Sequence, residues 1–384
     1  MIKKVKVLLF VSGFFMSLNA FAQLPTAPEL AKRMHVGVNL GNTLEAICSE
    51  DAWGAGKTSQ KLIDSIKTAG FNTIRIPTAW FCHSDTISST ISPQWMARVR
   101  EVVDYCIKDD LYVIINMHWD KGWLENRVDP KQQAKVNERQ KAYWTQIAEY
   151  FKQYDEHLLF AGANEPHASN ALQMSVLLSY YQTFINAVRA TGGNNTSRTL
   201  IIQGPETDIE KTLKLMNTLP KDKINNRLMV EVHFYSPFQF CLMNDDAQWG
   251  KMFYYWGKDF HSKTDTERNS TWGEEDAVDK LFSDLKKKFV DKGIPVILGE
   301  FGAYRRKIED PENQQLNYKS VEHFNKYVVK SCLTNGIIPY YWDTPMNLLN
   351  RDTAKVLDKG VISAMFQGAK EAKAESYSKK TKKK

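Results

Sequence analysis

Short apolar runs rich in β-branched and aromatic side chains recur along the chain and alternate with longer amphipathic stretches. The strand-like runs are HVGVNLGN (35–42), TIRIPTAW (73–80), LYVIINMH (111–118), LLFAGANEP (158–166), TLIIQGP (199–205), LMVEVHFYSP (228–237), PVILGEFG (295–302) and GIIPYYWD (336–343). They are apolar without strict alternation, the pattern of strands covered on both faces in a parallel sheet. A helical period follows each one. SQKLIDSIKTAG ends on Gly70, a C-terminal capping residue, and SPQWMARVREVVDYCIKDD opens with Ser92 and Pro93, an N-cap and first-turn pair. ERQKAYWTQIAEYFKQY, MSVLLSYYQTFINAVRATGG, EEDAVDKLFSDLKKKFVDKG, KSVEHFNKYVVKSCLTNG and VLDKGVISAMFQGAKEAK continue the series, while the helix near EKTLKLMNTL is short. Eight strand–helix units in regular alternation predict a single-domain α/β fold, a (β/α)8 TIM barrel.

No Pro/Ser-rich linker or charge block divides the chain after its first residues, so residues 23–366 read as one catalytic-size domain. Residues 1–22 place three lysines before an apolar run and end in Ala-Phe-Ala, the order of a secretory signal peptide. That run is shorter than the ~20 apolar residues a membrane span needs. A secreted or periplasmic protein without a transmembrane segment is expected. The formal charge is +7, but three lysines belong to the signal and seven lie in residues 367–384 against Glu371 and Glu375. The body is left near −1. The basic character is therefore that of a tail, read as disordered, and a phosphate-binding groove for nucleic acid is not expected. Five cysteines leave at least one unpaired; Cys48 and Cys82 both follow strands and could pair, whereas Cys106 and Cys332 read as core residues.

In a (β/α)8 barrel the reactive groups sit at the C-terminal ends of the strands and in the loops after them. Those ends carry Asn39, Asn42 and Glu45; Arg75 and Trp80; His118, Trp119 and Asp120; Asn164, Glu165 and His167; Glu206; His233 and Tyr235; Glu300; and Trp342 and Asp343. No strand end carries a lysine for Schiff-base chemistry, and no His-x-His cluster or Gly-rich phosphate loop is present. No metal and no cofactor is expected. What remains is a pair of carboxylates in apolar strand contexts, Glu165 and Glu300, with aromatic side chains around them. Glycoside hydrolysis needs such a pair, one to protonate the leaving oxygen and one to attack or to activate water. Burial and a negative neighbour are expected to raise the acid's pKa. Arg75 and Tyr235 are placed to keep the other carboxylate ionised. Loop indoles at Trp53, Trp123, Trp249, Trp256 and Trp272 suit stacking on sugar rings. Glu206, Asp120 and Asp343 read as structural or rim residues, and Glu45 as a supporting one.

At this point the residues resemble glycoside hydrolase family 5, the retaining barrel enzymes typified by endo-β-1,4-glucanases. The likeness runs from GVNLGNTLEA to YYWDTP. It rests on Arg75 in TIRIP, His118 in INMHWD, Asn164-Glu165-Pro166, His233 and Tyr235 in VEVHFYSP, Glu300 in ILGEFG, and Trp342. The resemblance implies Glu165 as acid/base, Glu300 as nucleophile, and a carboxyl separation of about 5–5.5 Å. It implies that Asn164 binds the sugar 2-hydroxyl, that Tyr235 and Arg75 orient Glu300, that His233 lies near Glu165, and that Trp342 floors the sugar site. His118, Asn42 and Trp119 are expected among the substrate contacts. The opening GVNLGNTLEA is similar to the subgroup acting on cellulose, mixed-linkage glucan and xyloglucan, many members of which have Trp where this chain has Val38.

The expected protein is thus a monomeric endo-β-1,4-glucanase whose partner is a polysaccharide. A xyloglucanase or β-mannanase of the same family remains open, with selectivity expected in the insertion between Phe238 and Trp272. So do a catalytically dead carbohydrate-binding barrel and a metal-dependent hydrolase.

Overall fold

Eight parallel strands close into a barrel in the computed structural model, which describes residues 24–381. The signal-like residues 1–22 lie outside the described part. The strands are β1 (Gly37–Leu40), β2 (Thr73–Ile76), β3 (Tyr112–Asn116), β4 (Leu158–Ala161), β5 (Leu200–Gln203), β6 (Leu228–Phe234), β7 (Val296–Phe301) and β8 (Ile337–Asp343). β1 pairs with both β2 and β8, which closes the ring. The barrel helices are α1 (Gln60–Thr68), α2 (Pro93–Lys108), α3 (Gln133–Phe151), α4 (Ala171–Ala190), α5 (Ile209–Leu215), α6 (Glu275–Lys288), α7 (Pro311–Thr334) and α8 (Lys359–Thr381). Among the described residues, no helix is long and apolar enough to cross a membrane.

Each strand buries both faces, as its uninterrupted apolar sequence requires. Outward residues such as Val38, Ile74, Val113, Phe160 and Val232 pack against the helices in one continuous core. Val38 therefore faces the helical shell and not the cleft, so its departure from Trp is a packing change. Inward residues form a second core, with Ile114, Leu159, Ala161, Ile201, Met229, Ile297, Ile338 and Tyr340 closed from below by Ala27 and Leu30 of a short N-terminal helix and by Met34 just after it. Above this plug the interior turns polar, and that change of layer positions the site.

Local signals act as expected at several ends. Ser92 accepts the Trp95 N–H with Pro93 in the first turn of α2, and Ser59 does the same for Leu62 of α1. Gly70 then takes φ +107°, which a side chain would resist. Cys48 and Cys82 form a disulfide with their Cα atoms 5.1 Å apart, tying the loops after β1 and β2. Cys106, Cys241 and Cys332 are free and buried.

Two expectations need correction. β4 ends at Ala161, so Asn164 and Glu165 belong to the loop beyond it. The loop still follows the barrel because Gly162 donates to the Ile201 carbonyl and Ala163 to the Gln203 side chain, each at 2.9 Å. The basic segment from residue 367 is not disordered but helical as far as Thr381, as the second half of α8. Its charge pattern hid two cross-helix partners: Glu371 and Glu375 pair with Lys326 and Lys330 of α7 at 2.8 and 2.7 Å. Gly368 permits the close approach, since a Cβ there would lie 2.3 Å from the Lys326 carbonyl oxygen.

Candidate active site

The polar layer is built around one fully buried guanidinium. Arg75 on β2 donates from Nη1 to Asn39 at 2.9 Å and to Glu300 at 3.0 Å, and from Nη2 to Asn164 at 2.8 Å. Its Nε lies 2.9 Å from Glu231 as an ion pair without hydrogen-bond alignment. Register explains the convergence: Asn39 pairs with Arg75 across β1 and β2, and His233 with Glu300 across β6 and β7. Burial opposes the guanidinium charge, but Glu231 and Glu300 outweigh it and raise the Arg75 pKa. Glu231 is buried too, yet Arg75 first and His233 second hold its pKa below the ordinary carboxylate value. Gly299 makes the room, because a Cβ would meet Glu231 Oε1 at 2.2 Å.

On this layer stands the carboxylate pair. Glu300 receives Arg75 on Oε1 and the Tyr235 hydroxyl on Oε2, both at 3.0 Å, and its side chain is 8% exposed. Glu165 is more open, at 42%, and touches His233 Nδ1 at 2.7 Å and the Thr207 hydroxyl at 3.3 Å. His233 bridges the pair, with Nδ1 also 3.6 Å from Glu300 and Nε2 3.3 Å from Glu231. Burial works against its charge, but Glu300, Glu165 and Glu231 raise its pKa to about 10. The expected direction for the acid is corrected here. Burial lifts Glu165, but the His233 proton beside it wins and holds it below the usual carboxylate value, whereas burial raises Glu300. The proton nearest Glu165 thus rests on its hydrogen-bonded histidine.

The flanks suit a sugar. His118 is kept neutral first by burial, then by Arg75 and His233. Its Nδ1 faces the Asn116 amide nitrogen at 3.3 Å, so Nδ1 accepts and Nε2 carries the hydrogen. Its ring stacks over Trp342 at 5.9 Å, and Gly41 leaves space for that indole. Asn42 is half-buried with φ +60° and its backbone N–H bonded to Glu45. Trp119 is exposed on the loop after β3. A cavity of about 430 Å³ opens beside Glu165 and His233, bounded by Tyr235, Thr207 and Trp272. The five loop tryptophans divide: Trp53, Trp249 and Trp272 are exposed, whereas Trp123 and Trp256 are buried. Trp80 is also buried, donating to the Asn116 carbonyl. Asp120 accepts the N–H groups of Trp80, Phe81 and Cys82, and Asp343 pairs with Arg351; both are structural, as expected. Glu206 pairs with Lys211 at the rim, and His167 is exposed.

Sequence reasoning overlooked Glu231 and Glu125. Glu231 had a signal, a lone charge two residues before His233 and so on the same inward face of β6. Glu125 had none, because it lies in a short helical turn beyond the strand end, where only the folded loop brings it under the pair. Its carboxylate accepts the Glu165 N–H at 2.6 Å and its carbonyl accepts the His167 N–H at 3.0 Å. Burial raises its pKa to about 8, helped by the charges of Glu165 and Glu300. Burial likewise raises Glu45 to about 7 against the N–H groups it accepts. Glu45, Glu125 and His233 therefore hold more protons folded than unfolded, and stability falls as pH rises. The loss from the two carboxyls runs from ~4.3 through about 7 and 8, and that from His233 from ~6.5 through about 10. The denaturation midpoint is expected to drop between pH 5 and pH 9, and Glu125→Gln to flatten the lower part of that slope. An unchanged slope in the variant would count against the buried proton.

Glu165, His233 and Glu300 each offer an atom within 4.8 Å of the others, close enough to be tested as a metal site. Their chemistry does not fit a resident cation. Arg75 already neutralises Glu300 from 3.0 Å, and both His233 nitrogens are taken up by carboxylates, Nδ1 by Glu165 and Nε2 by Glu231. The set is arranged for proton transfer.

The family model described as Cellulase (glycosyl hydrolase family 5) matches residues 35–345. The xyloglucan-specific endo-β-1,4-glucanase of Bacteroides ovatus is 36% identical over 367 residues, spanning 89% of this chain and 70% of that protein. Endoglucanase A of Paenibacillus barcinonensis is 33% identical over 376 residues, 89% and 90% of the two chains. Among solved structures, a xyloglucan-specific β-1,4-glucanase from a ruminal metagenomic library, in complex with XXLG, superposes with a TM-score of 0.83. It is 39% identical, and the match covers 90% of this chain and 97% of that one.

Proposed function

Because the chain belongs to glycoside hydrolase family 5, we propose that it cleaves internal β-1,4 bonds of glucan chains by double displacement with retention. The observation that carries this reading is the spacing of Glu165 and Glu300, whose nearest oxygens lie within 4.8 Å. Inverting enzymes keep their carboxyls ~6.5–9.5 Å apart to admit a water, whereas retaining ones hold them at ~5–5.5 Å.

In this mechanism Glu300 is the nucleophile. Two donors fix both of its oxygens, so it meets the anomeric carbon without losing orientation. Glu165 is the acid/base. A sugar oxygen arriving at its open side takes up a proton from the Glu165–His233 pair, and the His233 proton can follow across 2.7 Å. The glycosyl–Glu300 ester is then hydrolysed by water that gives its proton back to Glu165. Asn164, whose oxygen is held by Arg75, turns its amide nitrogen to the sugar 2-hydroxyl, and Trp342 with His118 forms the floor.

A second reading, preference for xyloglucan, is favoured by the named activity of two of the relatives described above. Reducing-end release from barley β-glucan, carboxymethylcellulose, xyloglucan and mannan tests both. Activity on linear glucans is expected; rates far higher on xyloglucan would establish the second reading, and no release from any of the four would refute both. We also read residues 1–22 as an export signal, supported by the Cys48–Cys82 disulfide, which suits an oxidising compartment. Intact mass of the exported protein would then register a start at Gln23.

A further inference from the structure

Away from the carboxylate pair, a cavity of about 300 Å³ lies among the loops after β2 and β3 and the start of α3. Lys121, Arg127, Lys135 and Arg139 line it, over a floor that includes Phe81 and Trp123, and no carboxylate is in its wall. None of the four cations is in an ion pair among the described residues, although the body of the chain is near neutral overall. Arg139 is the built element. It donates to the Thr86 carbonyl at 2.8 Å, lies 4.7 Å over the Phe81 ring and 5.9 Å over Trp123, and has no partner for Nη1 among the described residues. Buried Asp120 pins Phe81 to the loop that carries Lys121 and Trp123, so the floor is fixed.

The helix adds a field of the same sign. α3 is 19 residues long, has no side-chain cap and no acidic residue in its first turn, and turns Gln132, Lys135, Val136 and Arg139 to the cavity. Uncapped N–H groups and the positive helix end favour an anion there. The chain thus gathers like charges without compensating them internally, an arrangement that costs stability unless something negative binds.

We propose that this pocket binds the carboxylate of an acidic saccharide, a uronic acid unit, at the rim of the polysaccharide cleft. Phe81, Lys121 and Trp123 stand on the loops after β2 and β3, the C-terminal face of the barrel that also carries His118, so the pocket opens on the face that holds the carboxylate pair. The cavity has about ten times the ~30 Å³ share of a water molecule, room that an inorganic anion leaves mostly unfilled. This inference rests on the cleft being a polysaccharide site.

The test uses the full enzyme and measures binding of methyl glucuronoside, methyl glucoside and sulfate by calorimetry, with Lys121→Glu/Lys135→Glu as the variant. Both lysines are exposed and make no side-chain hydrogen bond, so the fold should not depend on them. The glucuronoside is expected to bind about tenfold more tightly than the glucoside, an advantage weakened by salt, and the variant to lose that margin. Hydrolysis of neutral barley β-glucan should be unchanged in the variant, while its rate on carboxymethylcellulose relative to hydroxyethylcellulose falls. Equal binding of glucuronoside and glucoside, or full retention by the variant, would overturn the proposal. Sulfate binding as tight as the glucuronoside would overturn its saccharide part. Failure of the wild-type enzyme on every glucan would instead refute the proposed function and leave the binding result standing.

Discussion

Glu300→Ala is expected to lower kcat by on the order of 10⁴-fold or more while substrate still binds, because it removes the atom that must bond to the anomeric carbon. The geometry makes the loss specific. Glu300 is the carboxylate held on both oxygens, by Arg75 and by Tyr235, and it is nearly closed to solvent. Glu165→Ala should behave differently. Its product-forming step fails, but an activated aryl glycoside still reacts, since such a leaving group departs without protonation. Azide separates the two roles stereochemically. In Glu300→Ala it occupies the vacated nucleophile space, attacks as Glu165 protonates the leaving oxygen, and yields an α-glycosyl azide. In Glu165→Ala the glycosyl–Glu300 ester still forms, and azide displaces the carboxylate from the opposite face to give the β-anomer. Proton NMR of the anomeric signal reads the result. Reversed anomers would exchange the assignments, and turnover surviving in Glu300→Ala would remove it as nucleophile.

How far the sequence could reach depends on which interactions are local. The eight strands were legible because two-sided burial writes itself as uninterrupted apolar runs, and the strand-end rule then exposed Arg75, His118, Asn164, Glu165, His233, Tyr235, Glu300 and Trp342 together. The structure gathers these eight around one guanidinium, an aromatic stack and a bridging imidazole. Glu125 was illegible, because its link to the Glu165 N–H crosses between two loops. The helix at the C-terminal end was misread for a similar reason: lysine density looked like a tail until Glu371 and Glu375 met their partners on α7. The loop tryptophans could not be sorted by sequence, since Trp256 donates to the Gly273 carbonyl inside the fold while Trp272, a neighbour in the same insertion, reaches the cavity. The direction of the Glu165 shift also escaped, because it turns on His233 lying 2.7 Å away and not on burial, which sequence does foresee.

Arg75→Met is expected to cost about 3–5 kcal/mol of stability and, in whatever remains folded, on the order of 10²–10³-fold in kcat. Two separate losses are combined there. Glu231 is fully buried and would keep its charge beside an apolar side chain, with only His233 and Gln203 left to hold it. Glu300 would lose the cation that opposes its burial, so its pKa rises further and the ionised nucleophile becomes scarcer. The acid limb of the pH–rate profile should therefore move to higher pH, which a purely structural role would not produce. Arg75→Lys should rescue little, since one ammonium cannot meet Asn39, Asn164, Glu231 and Glu300 in their four directions. Adding Glu231→Gln to Arg75→Met removes the stranded charge and should recover part of the stability but not the rate. Denaturation midpoints and pH–rate profiles on the single and double variants separate the two effects. If the double variant regains rate along with stability, Arg75 acts only as the partner of Glu231, and its bond to Glu300 contributes nothing to the chemistry.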